Sequence, residues 1–144
     1  MLFTGSCSLP VQAQMINPAG SNIETRINPP GEYIRQNTES NSFAFYLRNL
    51  PLKPDGALVK YYNGLIKARM VHAAVIDMSV GKKDLQQCAD AVMRLRAEYL
   101  YKQNRPKDIH FNFTNGFRAE YSKWIQGCRI KVNGDEVSWV KTAY

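Results

Sequence analysis

Asp84–Asn104 reads DLQQCADAVMRLRAEYLYKQN, and its periodicity decides the fold class. Leu85, Cys88, Val92, Leu95 and Tyr99 recur at helical spacing and make one apolar stripe. Asp90, Arg94, Glu98 and Lys102 follow at i,i+4 with alternating sign, a solvated row over much of the opposite side. Asp84 with Gln87 three residues on has the capping-box pattern, so the spacing predicts a helix that opens at Asp84 and carries Cys88 in its first turn. A thiol there lies at the positive end of the helix dipole, which favours a thiolate and so a nucleophile. Cys88 also falls in the middle of the predicted buried stripe, where core packing accounts for it without chemistry.

Outward from this helix, both flanks read as short strands and turns. Upstream, Ser42–Leu50 places Phe43, Tyr46, Leu47 and Leu50 at helical spacing, with Ser42 or Asn41 as N-cap and Pro51 and Pro54 as the stop. Ala57–Tyr62 and Leu65–Ala68 flank Asn63-Gly64, a hairpin signal. Val71–Met78 is apolar on both faces and predicts a buried strand. Downstream, Ile109–Phe113 alternates cleanly, and Asn115-Gly116 leads to a predicted second helix over Arg118–Gln126. Arg129–Val132 and Val137–Lys141 around Asn133-Gly134 predict a second hairpin. The fold class is α+β, an antiparallel or mixed sheet packed by one long helix.

The 144 residues suit one core. The net charge of +7 arises entirely after Leu50, because Arg26, Arg35 and Arg48 balance Glu24, Glu32 and Glu39 before it. The basic residues are dispersed and form no stripe with stacking aromatics, which argues against nucleic acid. No apolar run reaches the roughly 20 residues of a membrane span. Met1–Ala13 is uncharged and ends in Val-Gln-Ala, the pattern of a secretory signal remnant, with a lipid anchor at Cys7 as the alternative. Residues 14–31 read as a polar linker and 32–144 as the N-terminal part of a single domain. The start, and the stop three residues after the predicted Trp139 strand, predict truncation at both ends. Export implies the periplasm or cell envelope. Cys88 and Cys128 then leave a disulfide open. The absence of a Cys-x-x-C or clustered Cys/His set points away from a metal, and no cofactor motif occurs.

Thiol hydrolysis needs a histidine beside the cysteine and a group to orient it. His72 shares a strand face with Ala74 and Ile76 and reads as a core histidine. His110 shares a polar face with Asn112, giving Cys88/His110/Asn112 as one candidate set, although such a face is ordinarily just solvated. Phe111, Phe113, Phe117, Tyr121 and Trp124 read as core, with a sugar-binding groove as the alternative.

Two stretches, SFAFYLRNLPLKP (Ser42–Pro54) and DLQQCADAVMRLRAEYLYKQNRPKDIHFNFTNG (Asp84–Gly116), closely resemble an uncharacterised, mostly exported bacterial domain-of-unknown-function family. The similarity runs from about Glu32 to Tyr144. The family is distantly similar to NlpC/P60- and CHAP-like thiol hydrolases, in which a cysteine opens a helix and a histidine follows on a later strand. The resemblance thus implies an incomplete papain-like domain with Cys88 at the nucleophile position and its histidine beyond Tyr144. It implies envelope peptide or amide bonds as substrate. A non-catalytic accessory domain that binds envelope peptide or glycan is the alternative, and oligomeric state stays open.

Overall fold

A computed structural model describes residues 15–142, so the signal-like Met1–Ala13 and Cys7 lie outside the described residues. The polypeptide divides between Leu85 and Gln86 into two units. Its architecture is α+β, helices with two separate two-stranded antiparallel sheets rather than the single sheet expected.

In the first unit, the polar stretch expected to be a linker is folded. Helix α1 (Ile23–Arg26) is opened by Asn22, whose side chain accepts from the Thr25 amide at 2.9 Å, while Thr25 Oγ1 accepts from the Asn22 amide at 3.3 Å. Asn17 N donates to Arg26 O at 2.7 Å and Asn28 N to Met15 O at 2.8 Å, closing a loop around the helix. Its polar side chains thus satisfy local backbone, although Asn17, Ser21, Thr25 and Asn28 stay exposed. Arg26 is only 3% exposed and donates to Gly20 O (2.8 Å), Asp55 Oδ1 (3.0 Å) and Lys53 O (3.5 Å). Glu24 lies 3.4 Å from Arg35 and 3.5 Å from Arg48, tying α1 to helix α2 (Phe43–Arg48). Ser42 caps α2 as expected, accepting from Phe45 N at 3.1 Å, and Leu50 is buried just before Pro51.

Neither expected strand region of this unit becomes a sheet. At Asn63-Gly64 the chain turns with Gly64 at φ 86°, and Tyr61 N bonds Leu65 O at 2.8 Å, but the pairing reduces to one bridge, Lys60↔Ile66. Tyr61, Tyr62, Leu65 and Ile66 stay exposed, and a hairpin with no covered face is marginal in water. Val71–Met78 is likewise not a buried strand. Val71 is exposed and the segment makes a single bridge, Leu52↔Ile76. Its partner segment contains Pro51 and Pro54, which have no amide to donate, so the ladder stays short.

In the second unit, helix α3 (Cys88–Lys102) is the long helix, and it opens four residues later than Asp84. The capping carboxylate is Asp90, which accepts from Gln87 N at 3.0 Å. Arg94 and Glu98 pair at 2.7 Å as their spacing predicts. Only the C-terminal half of the apolar stripe is buried: Leu95, Tyr99 and Leu100 form the core with Ile109, whereas Leu85 is 73% and Val92 62% exposed. The helix closes with Asn104 at φ 55° and Arg105 N bonded to Leu100 O at 2.9 Å, a Schellman ending.

A 3-10 turn (Pro106–Asp108) leads into β1 (His110–Asn112), antiparallel to β2 (Arg118–Glu120) with Phe111 opposite Ala119. The expected second helix loses its first turn to this pairing and shrinks to α4 (Tyr121–Ile125). The last hairpin forms as expected, β3 (Cys128–Asn133) with β4 (Glu136–Lys141). Asn133 faces Glu136, so the two-residue loop is Gly134-Asp135. Of the two, only Gly134 (φ 59°) has positive φ, the II′ pattern with glycine leading.

Candidate functional site

Cys88 is the first residue of α3, and its thiol is free and exposed. The sequence placed it in the opening turn, which holds, and inside the buried stripe, which does not. Val92, one helical turn on, is exposed with it, so packing does not explain the cysteine. Cys128 opens β3 half-buried and is also free, leaving the two thiols unbridged.

His110 begins β1. Its Nδ1 lies 2.9 Å from Asp108 O and 3.3 Å from Arg118 Nη2. Only one of these can be a full hydrogen bond to a neutral ring; the shorter makes Nδ1–H a donor to the Asp108 carbonyl and leaves the lone pair on Nε2. The ring lines a cavity of about 390 Å³ with Arg96, Leu100, Arg105, Asp108 and Phe111. Arg96 and Leu100 stand eight and twelve residues beyond Cys88, roughly 12 and 18 Å along the helix axis. The structure therefore does not bring His110 to Cys88. Asn112 sits exposed on the same strand. His72, in the first unit, bonds Ala57 O through Nε2 at 2.9 Å, and its buried Nδ1 has no partner.

The aromatic residues divide between packing and surface. Phe117 meets Phe113 and Trp139 at 5.9 Å each. Tyr121 stacks on Trp124 at 5.9 Å, and Arg129 lies 4.8 Å over the Trp124 ring, which stays half exposed. Tyr101 and Tyr121 meet edge-on at 6.3 Å and line a largely apolar groove with Ala97 and Ile109.

One carboxylate here has a shifted acidity. Lys123 Nζ lies 2.7 Å from Glu120 Oε2. That hydrogen bond, opposed by burial and helped by the charges of Lys123, Arg118 and His110, holds the Glu120 carboxyl below its ordinary range. A depressed folded-state value means the pair stabilises the unit above the unfolded carboxylate pKa, and the stabilisation is lost as pH falls through the lowered value. The unfolding midpoint should therefore fall less steeply on acidification in Glu120→Gln than in the wild type; identical slopes would remove Glu120 from the acid response.

Sequence reasoning missed the cavity of Arg96, Arg105 and His110. These residues are dispersed, and no local pattern marks them as neighbours. Among the described residues, no three His, Cys, Asp or Glu side chains are grouped to hold a metal ion. No helix among them is long and apolar enough to cross a membrane.

The profile of one family, described as a domain of unknown function (4846), matches residues 23–144. No curated protein matches the chain. No solved structure matches it either.

Proposed function

The chain belongs to the family described as domain of unknown function (4846), whose description carries no activity, and from that premise we propose an exported bacterial cell-envelope protein with a thiol hydrolase-like domain. Cys88 is the nucleophile of this reading, acting on peptide or amide bonds of envelope polymers. The observation that carries it is an exposed, free thiol at the first position of the longest helix of the second unit. A side chain that is neither packed nor bridged needs another explanation, and a helix start is where thiol nucleophiles gain reactivity.

Leu95, Tyr99 and Leu100 anchor the far half of the helix, and the Gln87–Asp90 bond holds its first turn. The chemistry would be attack of the thiolate on the amide carbonyl carbon, breaking the C–N bond and expelling the amine with a proton from the general base, to give a thioester that water hydrolyses to the carboxylic acid and the free thiol. His110, on β1 beside Arg96 and Leu100, is too far from Cys88 to serve as the base, so the general base in this reading is the histidine that the family resemblance puts beyond Tyr144.

The test uses the full-length protein on isolated envelope polymer. It should release free amino groups, and Cys88→Ser should lower release to the background without protein. At neutral pH, Cys88 should be alkylated by iodoacetamide faster than free cysteine. Alkylation no faster than free cysteine, with release unaffected by Cys88→Ser, overturns the assignment.

A second reading, a non-catalytic envelope-binding domain, is favoured by the half-exposed Trp124 with Arg129 over its ring. It expects envelope binding without release, retained in Cys88→Ser and weakened in Trp124→Ala.

A further inference from the structure

The cavity beside β1 is built on stiff backbone. Arg96 and Leu100, four residues apart, share a face of α3. The helix then ends in its Schellman turn, and the 3-10 turn is held by Asp108 N to Arg105 O at 3.1 Å and Ile109 N to Pro106 O at 3.3 Å. These bonds carry Arg105, Asp108, His110 and Phe111 back against the same helix face. Two guanidinium groups and an imidazole thus line one space of about 390 Å³ together with the apolar side chains of Leu100 and Phe111.

We propose that this cavity binds the C-terminal carboxylate of a peptide ending in a small apolar residue. Two features select that ligand. The planar fork of arginine matches a carboxylate in paired hydrogen bonds, and two such forks line the cavity. Asp108 pairs with Arg105 Nε at 2.6 Å. The space exceeds what a bare ion fills, and Leu100 and Phe111 take the methyl or methylene groups next to the carboxylate. Arginine 105 keeps its terminal nitrogens for the ligand, because its bond to Asp108 uses Nε. The site stands on its own geometry and does not depend on the reading of Cys88.

The experiment titrates the chain with N-acetyl-Ala-Ala, its C-terminal amide and inorganic phosphate, following the His110 ring signals by NMR. The free acid should shift those signals saturably. The amide should bind at least about tenfold more weakly, as should the acid with Arg96→Gln or Arg105→Gln, because a hydrogen bond to a charged partner is worth that much. Arg105→Lys, which keeps the charge but not the fork, should bind between wild type and Arg105→Gln. Lys131→Gln, an exposed cation elsewhere in the unit, should bind as wild type. Should Arg105→Gln fail to fold, the exposed Arg96→Gln decides alone. Equal binding of acid and amide, no shift with either, saturation by phosphate but not by the acid, or an equal loss in Lys131→Gln would each overturn the proposal. Because no turnover is read, failure here leaves the hydrolase reading intact, and failure of that reading leaves this site intact.

Discussion

Arg26→Ala is expected to cost the first unit about 3 kcal/mol, enough to open the corner built from residues 15–28. The guanidinium is almost fully buried and donates to three acceptors, two of them backbone carbonyls. Alanine would remove the ion pair, leave the Gly20 and Lys53 carbonyls short of a donor and empty the space of the aliphatic stem. The value sits at the low end for breaking a buried pair, since Asp55 is 46% exposed and can rehydrate. For the same reason Asp55→Asn should cost about 1 kcal/mol or less. Gly20→Ala should resemble Arg26→Ala, because a Cβ there would fall 2.4 Å from Arg26 N and from the carbonyl carbon and oxygen of Thr25. Those are backbone atoms of α1 and cannot swing aside. Amide hydrogen exchange at Asn17 and Asn28, whose N–H groups close the corner, reads the outcome directly. If both amides stay protected in Arg26→Ala, the arginine is a passenger and the corner is held by its turns alone.

The second large effect separates the two ends of the expected apolar stripe. Leu100→Ala should destabilise the second unit by about 3 kcal/mol, through lost transfer free energy and the cavity left among Leu95, Tyr99 and Ile109. Leu85→Ala and Val92→Ala should change stability by no more than about 0.5 kcal/mol, as expected of exposed side chains. Urea denaturation of the three variants makes the comparison, provided the slope is unchanged. Equal losses from Val92→Ala and Leu100→Ala would mean that the whole stripe is covered, and the packing reading of Cys88 would return.

Much of the local structure was legible in the residues. Ser42 as N-cap, the proline stop after α2, the Arg94–Glu98 row, the alternation of Ile109–Phe113 and the last hairpin each follow from interactions within a few residues of one another. Less legible were features whose partners are distant in sequence. Val71–Met78 has the composition of a buried strand, but a strand needs neighbours, and the prolines of its partner deny it a ladder. Arg118–Glu120 carries a helical pattern, yet three cross-strand pairs with β1 claim it. The polar run from Gln14 has the composition of a linker, and its role emerges only when Arg26 is seen to reach Asp55 across 29 positions.

The candidate site shows the same division. Sequence alone put Cys88 at the start of a helix, because capping and i,i+4 patterns are local and survive without knowledge of the rest. It also put an apolar stripe beneath that cysteine, because periodicity reports which side chains share a face but not whether anything covers them. Tertiary structure decided the covering: Leu95, Tyr99 and Leu100 meet Ile109, while the first turn meets solvent. It also set His110 beside Arg96 and Arg105 instead of beside Cys88, since the helix ending and the 3-10 turn fix where β1 returns. Local spacing determined what Cys88 is attached to; burial and chain return, which depend on contacts far apart in sequence, determined what it faces.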